Sequence, residues 1–112
     1  MDGLARIAAE RQRQLEKEGW TPQHDNEHTK GEMALAAALY ASPEPLFYPM
    51  EHEGGAIEFV DPWPWDREWD KRKKHNRIRQ LEIAGALIAA ELDRLCRVTA
   101  EPDDRKAGEG RR

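Results

Sequence analysis

Cysteine is almost absent from this chain: Cys96 is the only one in 112 residues, so no intrachain disulfide can form and a secreted disulfide scaffold is excluded. No activating neighbours surround it, and its place in an amphipathic stretch predicts a buried, inert thiol. Long apolar runs are missing too. No window approaches the roughly 18 apolar residues of a membrane span, and the opening MDGLARIAAERQRQ lacks the apolar core of a signal peptide. The expected location is therefore the cytoplasm, with no membrane partner. An excess of positive charge is also lacking. With 18 Lys and Arg against 22 Asp and Glu, the net charge of -4 argues against a protein dominated by nucleic-acid affinity, while leaving room for a local basic patch. No GxxxxGK(S/T) loop, GxSxG elbow or paired CxxC occurs, so the most specific catalytic motifs are absent.

What is present is a concentration of apolar residues into helical windows, together with four tryptophans, despite a charged fraction of 36%. That pattern predicts one mainly α domain over residues 1–98 and a disordered polar tail, TAEPDDRKAGEGRR, over 99–112. Leu4, Ile7, Ala8, Arg11 and Leu15 recur at helical spacing and predict a first helix over 2–18. Gly19 stops it, and a Schellman ending would fold Trp20 back onto Leu15. After the aperiodic TPQHDNEH, the sequence Thr29-Lys30-Gly31-Glu32 matches a capping box. The apolar MALAAALYA of a second helix follows, ended by Ser42 and Pro43.

Between the second and third helices lies a Pro/Trp-rich insert, Ser42 to Asp66, holding five of the seven prolines. Its runs LFYPM and AIEFV, separated by EHEGG, suit a small β-hairpin with Pro49 on an edge; the alternative is an irregular insert. A third helix is expected over 71–98. Its stripe of Ile78, Leu81, Gly85, Ile88, Leu92 and Leu95, at steps of three and four, predicts the main core element. Ala84, Gly85, Ala86, Ala89 and Ala90 thin its middle, which suits close approach by a helix of a second copy and hence a homo-oligomer. The fold class is thus a three-helix domain with a small hairpin or irregular insert.

Three constellations bear on chemistry. The run WPWDREWDKRKKHNRIR offers Trp63, Trp65 and Trp69 to stack on a planar base, and Arg67, Lys71, Arg72 and Arg77 to meet phosphate. Cations at a helix start oppose the helix dipole unless an anion binds there. The competing reading is that the tryptophans close the open end of the helical core while Lys71 to Lys74 form a solvated first turn. In the second constellation, His24, Asp25 and His28, with Glu27 and Glu32 near, could hold a metal. Polar residues fixing a loop explain them more simply, so no metal is assigned. Third, the paired ExxE and ExxD spacings of the all-α nucleoside-triphosphate pyrophosphohydrolases are missing: Glu82 is followed at three residues by Gly85, and Glu91 by Arg94.

The chain resembles the RyR repeat, the small domain first described in ryanodine receptors and also found in prokaryotic proteins. The resemblance rests on a helix ending in Gly19-Trp20, a loop bearing Asp25, and the segment Glu68-Trp69-Asp70-Lys71 that opens the last helix. It spans about residues 5 to 95. Trp20, Asp25, Trp69 and Asp70 match the family; Leu15 stands where an arginine is usual, and MALAAALYA replaces the HPxLxPY stretch. The chain is also similar to phage and prophage proteins with GWTPxHD and WPW segments. The resemblance implies a helical domain whose pocket accepts an adenine-type nucleotide. In a phage setting the protein would act in the host cytoplasm, sequestering a nucleotide-derived immune signal.

The expectation is therefore a binding protein for a nucleotide-like small molecule, with no catalytic residue and no cofactor. Its pocket would lie between the Gly19-to-His28 loop and the WPWDREWD segment. Trp20, Trp63, Trp65 or Trp69 would stack on the base. Arg67, Lys71, Arg72 or Arg77 would meet phosphate, and Asp25 or Asp70 would accept hydrogen bonds, with His24 and His28 in the same wall. The alternatives are a metal-dependent nucleotide phosphohydrolase using His24, Asp25, His28, Glu27 and Glu32, and a protein-interaction module with the tryptophans as hot spots.

Overall fold

The computed structural model describes residues 1–99, so the tail expected to be disordered lies, apart from Thr99, outside the described residues. Helix α1 spans Gly3–Lys17, where the Asp2 side chain accepts from the Ala5 N–H at 2.9 Å and caps the start. At its end Gly19 takes φ 70°, the left-handed conformation that glycine tolerates, and the Trp20 N–H donates to the Gln14 carbonyl at 3.1 Å. The returning bond reaches one residue beyond the Leu15 carbonyl that a Schellman ending would use, and Trp20 packs against the core.

The TPQHDNEH segment is not aperiodic loop throughout. Pro22–Asp25 form a single turn, α2, with proline pre-set for the first helical position and Thr21 accepting from the His24 N–H at 3.3 Å. Helix α3 spans Glu32–Ala41. The Thr29 capping box does not form, because Gly31, at φ 79°, starts the helix instead and the Glu32 carboxylate turns back to the Lys30 N–H. Met33, Ala36, Ala37, Leu39 and Tyr40 bury most of its circumference, as an almost wholly apolar helix requires.

The insert contains the expected hairpin. Strand β1 (Tyr48–Glu51) pairs antiparallel with β2 (Ile57–Val60), Tyr48 opposite Val60 and Pro49 opposite Phe59. A two-stranded sheet has only edges, which accommodates Pro49. Gly54 and Gly55, at φ 86° and 87°, turn the chain. All of β1 is exposed, and only Val60 of β2 is half-buried.

Two single turns of 3-10 helix, Arg67–Trp69 and Arg72–Lys74, precede α4, which spans Arg77–Thr99. The last helix therefore begins later than the Lys71 start the sequence suggested. His75 is extended, and the Asn76 side chain accepts from the Arg79 N–H at 3.0 Å, capping the helix there.

The face of α4 that builds the core is also displaced from expectation. Ile83, Ala84, Ala86, Leu87 and Ala90 are buried, whereas Ile78, Leu81, Ile88, Leu92 and Leu95 are exposed. Small alanines let α1 and α3 close onto α4, which leaves the larger stripe outside the contact. Cys96 is exposed, not buried, because its position belongs to the outer side of α4. At Gly85 an added Cβ would lie 2.5 Å from Ile7 Cδ1. A bulky side chain there must push α1 away, so Gly85→Leu is expected to destabilise by about 1–3 kcal/mol in denaturant unfolding.

A buried polar cluster ties α1 to α4. Glu10, 3% exposed, accepts from Arg13 at 2.7 and 3.0 Å, pairs with Arg79 at 2.9 Å and accepts from Gln14 Nε2 at 3.2 Å. Burial pushes the Glu10 carboxyl up, but Arg13 and Arg79 outweigh it and hold the group below its ordinary value.

Candidate functional site

The loop after α1 and the Trp/Pro segment after β2 converge on one cavity of about 590 Å³. Trp20, His24, Asp25 and His28 line one side, and Trp63, Pro64, Trp65, Asp66 and Trp69 the other. Met33 and Tyr40 of α3 and Ile83 and Leu87 of α4 complete the lining. The volume falls within the roughly 300–1,000 Å³ of small-molecule sites.

Six aromatic rings form an unbroken series along this lining. Trp20 lies parallel to His24 at 6.5 Å, His24 meets His28 edge-on at 5.2 Å, and His28 meets Trp65 at 5.1 Å. Trp65 stands nearly perpendicular to Trp63 at 5.6 Å, and Trp63 meets Tyr40 at 6.0 Å. Perpendicular contacts set ring edges against ring faces, the arrangement that aromatic quadrupoles favour. The two sequence segments are therefore joined through His28 and Trp65.

Pro62 and Pro64, on either side of Trp63, restrict the backbone leading into Trp65. The Trp63 N–H donates to Asp61 Oδ1 at 3.1 Å, and its indole Nε1–H donates to the Asp66 carbonyl at 3.2 Å. The indole N–H of Trp65 is shut off from solvent and has no partner among the described residues. An unsatisfied buried donor costs about 1–3 kcal/mol. Asp25 is only 2% exposed; its Oδ2 accepts from Arg11 Nη2 at 2.8 Å. Its Oδ1 lies 3.7 Å from His24 Nδ1, beyond hydrogen-bonding reach. That leaves an acceptor in the cavity wall. Burial raises the Tyr40 phenol above its ordinary value, keeping it neutral, and its oxygen accepts from the Lys71 N–H at 3.3 Å.

The cations read as phosphate ligands do not line the cavity. Arg72 donates to Asp70 at 2.8 and 2.7 Å and to Asp61 at 2.8 Å, and its guanidinium sits 5.1 Å from the Trp63 ring centre. It braces the back of the tryptophan. Arg67 pairs with Asp61 at 3.2 Å and lies 3.8 Å from Asp70. Arg77 forks onto the Tyr40, Ala41 and Ser42 carbonyls, satisfying the last groups of α3. Lys71 contributes its backbone N–H to Tyr40. Asp70, expected as a ligand acceptor, is committed to Arg72 instead. No family model, curated protein or solved structure matches this chain.

Hydrogen bonds from Arg72 hold Asp70 below its ordinary value; at Asp61 burial pushes upward and Arg72, the Trp63 N–H and Arg67 outweigh it. A depressed folded-state value stabilises above the unfolded pKa and is lost as pH falls through the folded one. With Glu10 and these aspartates, from ordinary values of 4.5 and 3.8, the melting temperature is expected to decline once pH drops below about 4.5. Thermal melts across an acid series check this.

Sequence reasoning found Trp20, His24, Asp25, His28, Trp63, Trp65 and Trp69 for this wall. It missed Tyr40, Asp66 and the apolar lining, and it missed Arg11 as the partner of Asp25 and Asp61 as the partner of Arg72. Among the described residues no three His, Cys, Asp or Glu side chains gather as a metal site.

Proposed function

We propose that the protein is a small-molecule binding protein whose cavity takes the planar heteroaromatic part of a nucleotide-derived ligand. The observation that carries this reading is the series of six rings along the cavity beside one buried carboxylate with a free oxygen. A base slid against Trp63 or Trp65 gains about 1–3 kcal/mol from stacking. Asp25 Oδ1 accepts from an exocyclic N–H or a ribose hydroxyl.

Phosphates point to the open rim, where Trp69 is 51% exposed, because Arg67, Arg72 and Arg77 are already engaged. The binding mode is thus base-led, and no bond is broken. In a phage setting, as the resemblance to the RyR repeat and to phage proteins implies, such a cavity would serve to sequester a signalling nucleotide. Calorimetry with nucleosides, nucleotides and cyclic dinucleotides tests the reading. Micromolar binding of at least one, with the nucleoside retaining most of the affinity, is expected; no binding across the panel would overturn it.

A further inference from the structure

Helix α4 has two apolar faces, and the fold uses one of them. Ile83, Ala84, Leu87 and Ala90 lie in the core, while Ile78, Leu81, Ile88, Leu92 and Leu95 are 41–60% exposed. At Gly85, where the outer stripe lacks a side chain, Ile7 of α1 comes close to the glycine and supplies one. One turn earlier on α1, Leu4 is 80% exposed, so the surface continues across both helices.

We infer that this face is a two-fold interface with a second copy of the chain, α4 running antiparallel to the other α4. The stripe from Ile78 through Gly85 to Leu95 advances by three, four, three, four and three residues. That order reads the same from either end. An antiparallel copy therefore meets it in register: Ile78 against Leu95 of the partner subunit, Leu81 against Leu92 of the partner subunit, and the Gly85 notch with Ile7 against Ile88 of the partner subunit. Heptad-like spacing of this kind is the pattern by which one helix packs its side chains between those of another.

Charge selects the direction. Arg72 and Arg79 are paired with carboxylates, but Lys71, Lys73, Lys74 and Arg77 have no carboxylate partner among the described residues, and a parallel pair would set two such segments side by side. The antiparallel pair keeps them apart and opposes the helix dipoles favourably.

Native mass spectrometry of the full chain at micromolar concentration is expected to give a dimer. Leu92→Glu, at an exposed position that the monomer tolerates, should give a monomer with unchanged helical circular dichroism. Phe59→Glu, on the hairpin, should stay dimeric. With Cys96→Ser as background, Ile78→Cys combined with Leu95→Cys should cross-link on oxidation, while neither alone should. A monomeric wild type, a dimer that survives Leu92→Glu, or cross-linking by Ile78→Cys alone would overturn the inference. These readouts do not depend on what the cavity binds.

Discussion

Replacing Trp63 with alanine is expected to lower folding stability by about 3–5 kcal/mol and to abolish binding in the cavity. Trp63 is 8% exposed and sits where Tyr40, Trp65, Arg72 and Asp66 meet. Its ring meets Tyr40 and Trp65 edge-on, Arg72 lies across it, and its indole N–H holds the Asp66 carbonyl. Truncation leaves that carbonyl without its donor and opens a void among the rings. Against the roughly 5–15 kcal/mol of net stability typical of a domain, this loss is large. At about 4–8 °C per kcal/mol for a domain of this size, the melting temperature should fall by roughly 12 °C or more. Thermal and denaturant unfolding measure the effect, and Trp63→Phe should recover part of the stability by keeping a ring in place.

The second large effect is expected at Asp25. Asp25→Asn keeps the shape of the side chain but removes the charge that pairs with Arg11. The Arg11 side chain is 14% exposed, so its guanidinium would be left largely buried beside an amide that can turn an N–H towards it. Loss of a hydrogen bond between charged groups costs about 1.5–3 kcal/mol. Ligand affinity should fall at least tenfold, about 1.4 kcal/mol, because Oδ1 no longer acts as a carboxylate acceptor. Calorimetry on the variant, beside its melting curve, separates the loss of binding from the loss of stability.

The wall of the cavity was legible because its residues carry their own local signals. Gly19 and Pro22 punctuate the chain around Trp20 and Asp25, and Pro62 and Pro64 lock the tryptophans, so two stiff aromatic segments stood out from the helices. What each arginine binds was not legible. Arg72 looks like a phosphate ligand in WPWDREWDKRKK, but Asp61 and Asp70, brought within 2.8 Å by the turns between them, neutralise it first. The Arg77 fork onto α3 likewise depends on tertiary contact with carbonyls that no spacing reveals.

Helix α4 shows the same limit from another side. Two stripes share one helix, and spacing alone favours the one with larger side chains. The smaller residues Ala84, Ala86 and Ala90 became the core because α1 and α3 approach closely there, which periodicity does not register. The hairpin was readable from its glycines, whereas the start of α3 was not, since Gly31 and Thr29 offer competing caps within three residues.

The central claim is that a flat ring enters the aromatic cavity rather than resting on the basic segment before α4. The indole N–H resonances of the four tryptophans, followed by nitrogen-15 correlation spectra during titration with the tightest-binding nucleotide, test it most directly. The indole signals of Trp65, Trp63 and Trp20, whose rings line the cavity, should shift, with the Arg72 side-chain signal nearly still. Shifts confined to Lys71, Lys73, Lys74 and Arg77, with the Trp65 indole unchanged, would contradict the account.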